Sequence, residues 1–574
     1  MAQWESKSIK DVVTMIKDGD VVLPVIQRRL VWKESEMELL FNTLLKGHSF
    51  GAVIALQEEG GRKPLFAFRR FTDDGNTRNS EEADGLTRRH LFIIDGQQRL
   101  QSFYIGLIGS LNGKKLYFDL YSDYEEGEYE FRFAENTKNL PKAIPERTEN
   151  RSDAIKECLW YSVSELYQLL STSYDAKQTA KRIIKDCGVT DDNLKDFVKS
   201  NVEDFLARIF TEPSVGISLV VTNMSKSENE NRLRIVELFR RLNDGGTKLS
   251  SWDLMASMFK GYDYKMEKML DEIVSKNESI GIGQDEIIKL VLILLDKPRA
   301  ELSELTPHDA DFAVGKSLRI GNTLAALREF LSLSGNDKWF ASTKKRSAIP
   351  LYILAYHIFH STLPDDELPD MFADYETSNT TAPVMQKWLR TSLLNGIFTR
   401  GCGWVPYITG ITKLHAVMMR EKGKNFPCEA LFDVCRKHPL HTFWTVPEII
   451  ADRLDDLDRD FLFYLIYENR PTVRVENIEH IFARDLLKQM NVPDEKINRV
   501  ANLALLDYAS NIRKSNLELA KWLNDQKYVD QANKAEYLKR HLIPNDPKLW
   551  KSVAFDGFCD ARAELIVEKI QDSF

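Results

Sequence analysis

The sequence predicts a mixed α+β chain of several domains, and three observations predict it. Short apolar runs alternate with helical patterns over roughly the first 260 residues. From about 252 to 460 the signals are nearly all helical, with Pro and Gly at the breaks. From about 461 onward, short apolar runs return beside an Asn-rich stretch. The division expected is therefore 1–260, a helical scaffold at 261–450, and a third domain at 451–574.

In order along the chain, GAVIAL at 51–56 and LFII at 91–94 read as buried strands. The polar stretch 72–89, rich in Asp, Gly and Asn, reads as a surface loop. Residues 99–108 follow the second strand with apolar side chains at helical spacing, and 215–222 is a further strand leading into a helix over 231–242. KSLRIGNTLAALREFLSL and RSAIPLYILAYHIFHSTL are amphipathic segments of the helical region. His357 and His360 stand at i, i+3 in aromatic and aliphatic surroundings, which predicts a packing face, and His438 and His441 flank Pro439 in a turn.

Composition narrows the class. A length of 574 residues, with 43% apolar and 29% charged side chains, is that of an ordinary globular protein of about three or four domains. Net charge is −8, from 78 basic and 86 acidic residues, which argues against a non-specific DNA coat protein but leaves room for a local basic face. The six cysteines contain no CxxC pair, so neither a zinc ribbon nor a disulfide framework is expected. MAQWESKSIKDVV has no signal-peptide pattern and no apolar run is long enough to span a bilayer, so a cytoplasmic location with no membrane partner is expected.

Three N-terminal segments carry chemistry: LPVIQRRLVW at 23–32, IIDGQQRL at 93–100 and RLNDGGTKLS at 241–250. In the second, a strand ends in Asp95 and Gly96, and Gln97, Gln98 and Arg99 open a helix. Gly96 permits a sharp turn. The helix start offers N–H groups and positive dipole to an anion, and Arg99 adds a planar cation suited to phosphate oxygens. Asp95 is placed to position a metal-bound or attacking water. The plainer reading is a strand-to-helix turn closed by an Arg–Asp pair. Gln27, Arg28 and Arg29 form a polar cluster between apolar residues, and the Gly-rich turn after 243 is common in itself. There is no P-loop consensus.

At the other end, NIEHIFARDLLKQMNVPDEKINRVANLALLDYASNIRKSN runs over 477–516. It reads as a strand ending at Glu479 and His480, a loop, an apolar strand at 503–506 and a helix start. Phosphodiester cleavage requires a base, for which a neutral imidazole serves near neutral pH. It also requires a divalent cation to polarise the phosphate. Mg²⁺ takes oxygen ligands and keeps several waters, so Glu479 and Asn511 are candidate metal ligands. His480 is the candidate base, and Asn502 is expected to hydrogen-bond near it and fix its ring. Arg513 and Lys514 are candidate contacts to DNA phosphates, or a solvated helix face.

Together, the three N-terminal segments resemble the N-terminal domain of the GmrSD-type modification-dependent restriction enzymes. That family carries P-x-x-Q-R-x-x-x-W, D-G-Q-Q-R and R-L-N-x-G-G-x-x-L-S, matched here by Pro24, Gln27, Arg28 and Trp32, by Asp95 to Arg99, and by 241–250. The resemblance implies a ParB/sulfiredoxin-like domain that binds and hydrolyses nucleoside triphosphates and is implicated in sensing modified DNA. It places Asp95, Gln98 and Arg99 at the nucleotide, with Gln27 and Arg28 in the same pocket beside Gly96 and Gln97. The 477–516 stretch resembles the HNH (His-Me finger) nucleases found as the C-terminal half of such enzymes. That implies a ββα-metal fold with Mg²⁺ or Mn²⁺, His480 as base, Glu479 and Asn511 on the metal, and Asn502 as the structural asparagine. Two residues depart from the motif: Ala483 stands where many members have Pro, and Glu479 replaces Asp or His.

The function expected is a single-chain type IV restriction factor, a nucleotide-dependent endonuclease acting on double-stranded, modified phage DNA. Two other readings stay open: a nucleotide-dependent DNA-binding regulator whose nuclease domain has decayed, and an RNA-cleaving defence toxin. A homo-oligomer is left open, as are the modification recognised and the nucleotide preferred.

Overall fold

A computed structural model of the chain describes residues 3–26, 30–58, 64–76, 89–144, 157–222, 225–243, 251–263, 265–341, 346–375, 379–399, 404–407, 411–467, 476–507 and 516–574. These divide into two compact units. The first comprises Met1–Met269 and Glu301–Val314, and the second Leu270–Ala300 and Gly315–Phe574.

The first unit is built on a mixed six-stranded sheet. Its strands are β1 (Gln3–Lys7), β2 (Val21–Pro24), β3 (Val53–Glu58), β4 (Phe68–Arg69), β5 (His90–Asp95) and a later strand, Val215–Val221. Three helices accompany them: α1 (Ile9–Lys17), α2 (Glu34–Leu45) and α3 (Gln97–Ile108). The Ser8 side chain caps α1 by accepting from Asp11 N at 3.1 Å, satisfying one of the N–H groups that a helix start leaves open. Ile9, Val12, Val13 and Ile16 then form a single buried stripe.

Between α3 and the last sheet strand the chain makes a small second layer. Strands β6 (Lys115–Asp119), β7 (Phe131–Ala134) and β8 (Trp160–Ser162) form an antiparallel sheet in the order β7-β6-β8. Helices α4 (Val163–Ser173), α5 (Ala176–Asp186) and α6 (Asp192–Leu206) follow, each started by a side-chain cap, from Ser162, Asp175 and Asp191. The chain then returns as β9 (Val215–Val221) into the first sheet, whose order is β1-β9-β3-β5-β2-β4. β9 lies parallel to β3 and antiparallel to β1, and β2 lies parallel to β5. One continuous core joins the two layers, from Ile9 through Phe41, Phe103 and Phe118 to Phe205 and Leu219. Two helices, α7 (Glu228–Asn243) and α8 (Ser251–Tyr262), follow. Arg69 and Glu267, each 3% exposed, form an ion pair at 2.8 Å within this unit.

The second unit is mainly helical and contains one hairpin. Its helices include Gln284–Leu294, Ser317–Leu333, Ile349–Phe359, Thr381–Leu394 and Arg459–Ile466. Ile349–Phe359 is buried on nearly every side, which accounts for its almost unbroken apolar sequence. Strands β10 (Glu476–His480) and β11 (Leu503–Asp507) pair antiparallel, and the chain closes on an 18-residue helix, Phe555–Asp572. Among the described residues no helix is long and apolar enough to cross a membrane. The five described cysteines are free.

Candidate functional site

In the first unit, β5 is buried as far as Ile94 and delivers Asp95 to its end, where the side chain is 47% exposed. Gly96 follows in the left-handed region at φ 92°, and a Cβ there would lie 3.0 Å from Val53 Cγ2. The left-handed backbone favours glycine at this position, and the close approach leaves a Cβ room only if Val53 gives by a few tenths of an ångström. Among the described residues no side chain caps α3. Arg99 sits one turn in, donating from Nη1 to Phe50 O at 2.7 Å and from Nη2 to Asp95 Oδ2 at 3.3 Å. Gly51, at φ 91°, lies beneath that guanidinium, 2.5 Å from Nη1 to where a Cβ would be.

Gln98 Oε1 accepts from Val31 N at 3.0 Å and Trp32 N at 3.3 Å, which ties the segment after 27–29 to the start of α3. Gln97 is buried, and Gln101 Nε2 donates to Thr72 O. The Arg–Asp pair expected inside the turn is present. It uses only part of Arg99, whose other contact is a backbone carbonyl 49 residues away. Asp95, Gln97, Gln98 and Arg99 thus lie within five residues at a helix start, where the guanidinium and backbone N–H groups suit a phosphate and the carboxylate suits a water or cation beside it. Gln27, Arg28 and residues 244–250 lie outside the described residues.

In the second unit, Glu479 faces Ala504 and His480 faces Leu503 across the hairpin. Both are half-buried, and as successive strand residues they lean to opposite sides of the pleat. His480 Nε2 lies 2.9 Å from Asn498 Oδ1. The Asn498 amide is fixed by Nδ2 donating to Asp494 O at 2.8 Å. An amide oxygen only accepts, so the proton of this bond sits on Nε2.

The expected ring contact of Asn502 is not what its side chain makes. Asn502 is fully buried; Oδ1 accepts from Phe482 N at 2.9 Å and Nδ2 donates to Ile497 O at 2.8 Å. Its backbone oxygen accepts from Ile481 N at 2.7 Å. Asn502 therefore locks the chain leaving β10, and Asn498 is the residue at the imidazole. Asn498 lies four positions upstream in the same INRVAN run, where no spacing rule distinguishes the two.

Glu479, one position before His480 in sequence and on the other side of the pleat, carries a hard oxygen donor of the kind Mg²⁺ or Mn²⁺ takes. Among the described residues no group of three or more His, Cys, Asp or Glu side chains converges as a metal site. Asn511, Arg513 and Lys514 lie outside the described residues.

His357, His360 and His438 are structural in their surroundings. Burial holds His357 and His360 down to about 4. Their rings pack edge-on against Phe426 and Tyr356 at 5.3 and 4.3 Å. His438 Nδ1 accepts from Leu440 N and His441 N, each at 3.1 Å, closing the turn expected there.

Comparison with known proteins bears on part of the chain. "Uncharacterized protein MJ0686" of Methanocaldococcus jannaschii is 26% identical over 284 residues, covering 47% of this chain and 43% of that protein. The chain therefore spans less than half the length of this relative. Residues 9–260, the stretch that contains the Asp95–Arg99 turn, match the family model described as "GmrSD restriction endonuclease, N-terminal domain". It is thus the N-terminal domain of the GmrSD restriction endonuclease family that the first part of this chain resembles.

Proposed function

We propose that this protein is a nucleotide-dependent endonuclease that restricts foreign DNA, with phage DNA carrying modifications as its target. The observation that carries the reading is the β10–β11 hairpin, which ends on His480 with the ring held by Asn498 and the following loop held by Asn502. The family likeness of residues 9–260 supports it from the other end.

In this reading the N-terminal region adopts the ParB/sulfiredoxin-like fold and the C-terminal region the ββα-metal fold. The imidazole of His480, its ring oriented by Asn498, takes a proton from water. The hydroxide attacks phosphorus and the P–O bond to the leaving sugar oxygen breaks. Glu479 and Asn511 would hold a Mg²⁺ or Mn²⁺ ion, which when bound would supply charge stabilisation for the phosphate and the leaving oxygen. Arg513 and Lys514 contact DNA phosphates. Asp95 positions the attacking water at the nucleotide, and Arg99 binds phosphate with Gln27, Arg28, Gly96, Gln97 and Gln98 around it.

The test compares wild type with His480→Ala on plasmid DNA, modified phage DNA and RNA, with Mg²⁺ and each nucleoside triphosphate. Wild type is expected to cut DNA, and His480→Ala to lose roughly 10²–10⁴-fold of the rate. Equal cutting by the variant would remove His480 from the chemistry. Cleavage of RNA alone would establish the toxin reading instead. Nucleotide-dependent DNA binding with no cleavage would establish the regulator.

A further inference from the structure

The C-terminal helix Phe555–Asp572 carries a fully buried cation. Arg562 is 0% exposed, and among the described residues no carboxylate is paired with it. Its Nε donates to His541 O at 3.1 Å, and its Nη1 donates to Val500 O at 3.1 Å and Ala501 O at 2.8 Å. Nη2 is buried without a hydrogen-bond partner. Burial holds the guanidinium down to about 10, so it remains charged at neutral pH. Such a group is expensive in a core, where an apolar side chain of similar length would fill the space without the desolvation cost. What the charge secures is therefore informative.

The two carbonyls held by Nη1 belong to the 3-10 turn Val500–Asn502, immediately before β11. That turn, with the residues just before it, bears both asparagines of the hairpin. Asn498 meets the His480 ring, and Asn502 fastens residues 481 and 482 at the end of β10. From the outside, the exposed Asp455 accepts from Val500 N at 2.6 Å. Phe482 lies against Phe555 and Phe558 of the same C-terminal helix, at 5.6 and 4.9 Å between ring centres. The cation and the aromatic contacts thus grip opposite ends of one loop.

We propose that Arg562 is a positioning residue for His480: its guanidinium fixes the 497–502 turn, and the turn aims the imidazole through Asn498. The activity arm of this proposal rests on the nuclease reading above; the spectroscopic arm does not. Arg562→Met removes the charge at similar length. Arg562→Lys keeps the charge but has no planar fork for two carbonyls and His541 O together. In the full chain labelled with ¹⁵N-histidine, with His480→Ala to assign the signal, both variants are expected to shift the His480 ring nitrogens away from the Nε2–H form. The turnover number for cleavage is expected to fall roughly 10–100-fold, the scale for groups that orient a catalytic side chain. KM is expected to stay within about twofold, and the pH profile to move with the His480 signal.

A role confined to the core would lower stability and leave the ring signal and the pH profile in place, and that result overturns the proposal. Should neither Arg562 variant fold, Asp455→Ala loosens the same turn from an exposed position. An unmoved His480 signal there also overturns it. A wild-type protein that cuts neither DNA nor RNA ends the nuclease reading, while the ring spectrum still decides the role of Arg562.

Discussion

Gly96 shows how much a single backbone position constrains the turn from Asp95 to Arg99. Its φ of 92° and the 3.0 Å approach to Val53 Cγ2 act separately, the first on conformation and the second on space. Gly113 provides the comparison: it also has a positive φ, 81°, but nothing lies within 4 Å of where its Cβ would be. Gly113→Ala is expected to cost about 1 kcal/mol from conformation alone. Gly96→Ala is expected to cost about 1 kcal/mol more if Val53 holds its place and, on the proposed function, to weaken nucleotide binding as Asp95 and Arg99 are displaced. Thermal unfolding and nucleotide titration of the two variants side by side check this, and equal effects would show that the Val53 contact is slack. The Asp95–Arg99 pair was legible in the sequence because a strand-to-helix turn of one glycine keeps residues four apart within reach of each other. The Phe50 carbonyl and the Trp32 amide were not, because their partners are 49 and 66 residues away and only the folded sheet brings them together.

At the scale of elements, the hairpin β10–β11 separates two asparagines that the motif treats alike. Asn502 is buried with its amide committed to backbone groups, so Asn502→Ala strands Phe482 N and Ile497 O and is expected to cost about 2–3 kcal/mol. Asn498 is exposed and meets the imidazole, so Asn498→Ala is expected to change stability by less than about 0.5 kcal/mol. Denaturant titration and cleavage assays on both variants check the contrast: Asn498→Ala should lose activity while keeping its unfolding midpoint. The strands read from the sequence show why some elements are legible. β3, β5 and β9 are neighbours in the middle of the six-stranded sheet and carry the apolar runs at 51–56, 91–94 and 215–222. β1 is an edge strand of mostly polar residues with Trp4 exposed, and β4 has two residues; neither leaves an apolar run. The short strands β6 to β8 likewise owe their pairing to partners that one window of sequence does not contain.

The whole molecule has a built-in response to acid. His541 is 5% exposed, its Nδ1 lies 3.0 Å from Tyr467 Oη, and burial holds it down to about 3. The folded state thus keeps this imidazole neutral, while the unfolded chain takes up a proton near pH 6.5. The stability at stake is fully present above about pH 6.5 and is lost as pH falls toward about 3, at about 1.4 kcal/mol per pH unit. His357 and His360, both lowered, act in the same direction. Asp458, whose carboxyl burial pushes up, offsets part of this at the acid end. All four groups lie in the second unit. Its unfolding midpoint is therefore expected to fall between pH 7 and pH 5, and a midpoint independent of pH over that range would contradict the buried neutral imidazoles. No window of sequence shows this, because a histidine in an apolar run reads the same whether or not its ring is sealed from water.

The path of the chain has one more implication. After Met269 it leaves the first unit, comes back for Glu301–Val314, and leaves again. The returning piece is integral: Leu305 is fully buried, and its carbonyl receives the Tyr262 hydroxyl at 3.0 Å. Three covalent crossings, not one, bind the two halves of the polypeptide, so a protease that nicks any one of them leaves the halves still strung together. A gene fragment meant to encode the amino-terminal half has to run through codon 314, carrying a length of its neighbour with it.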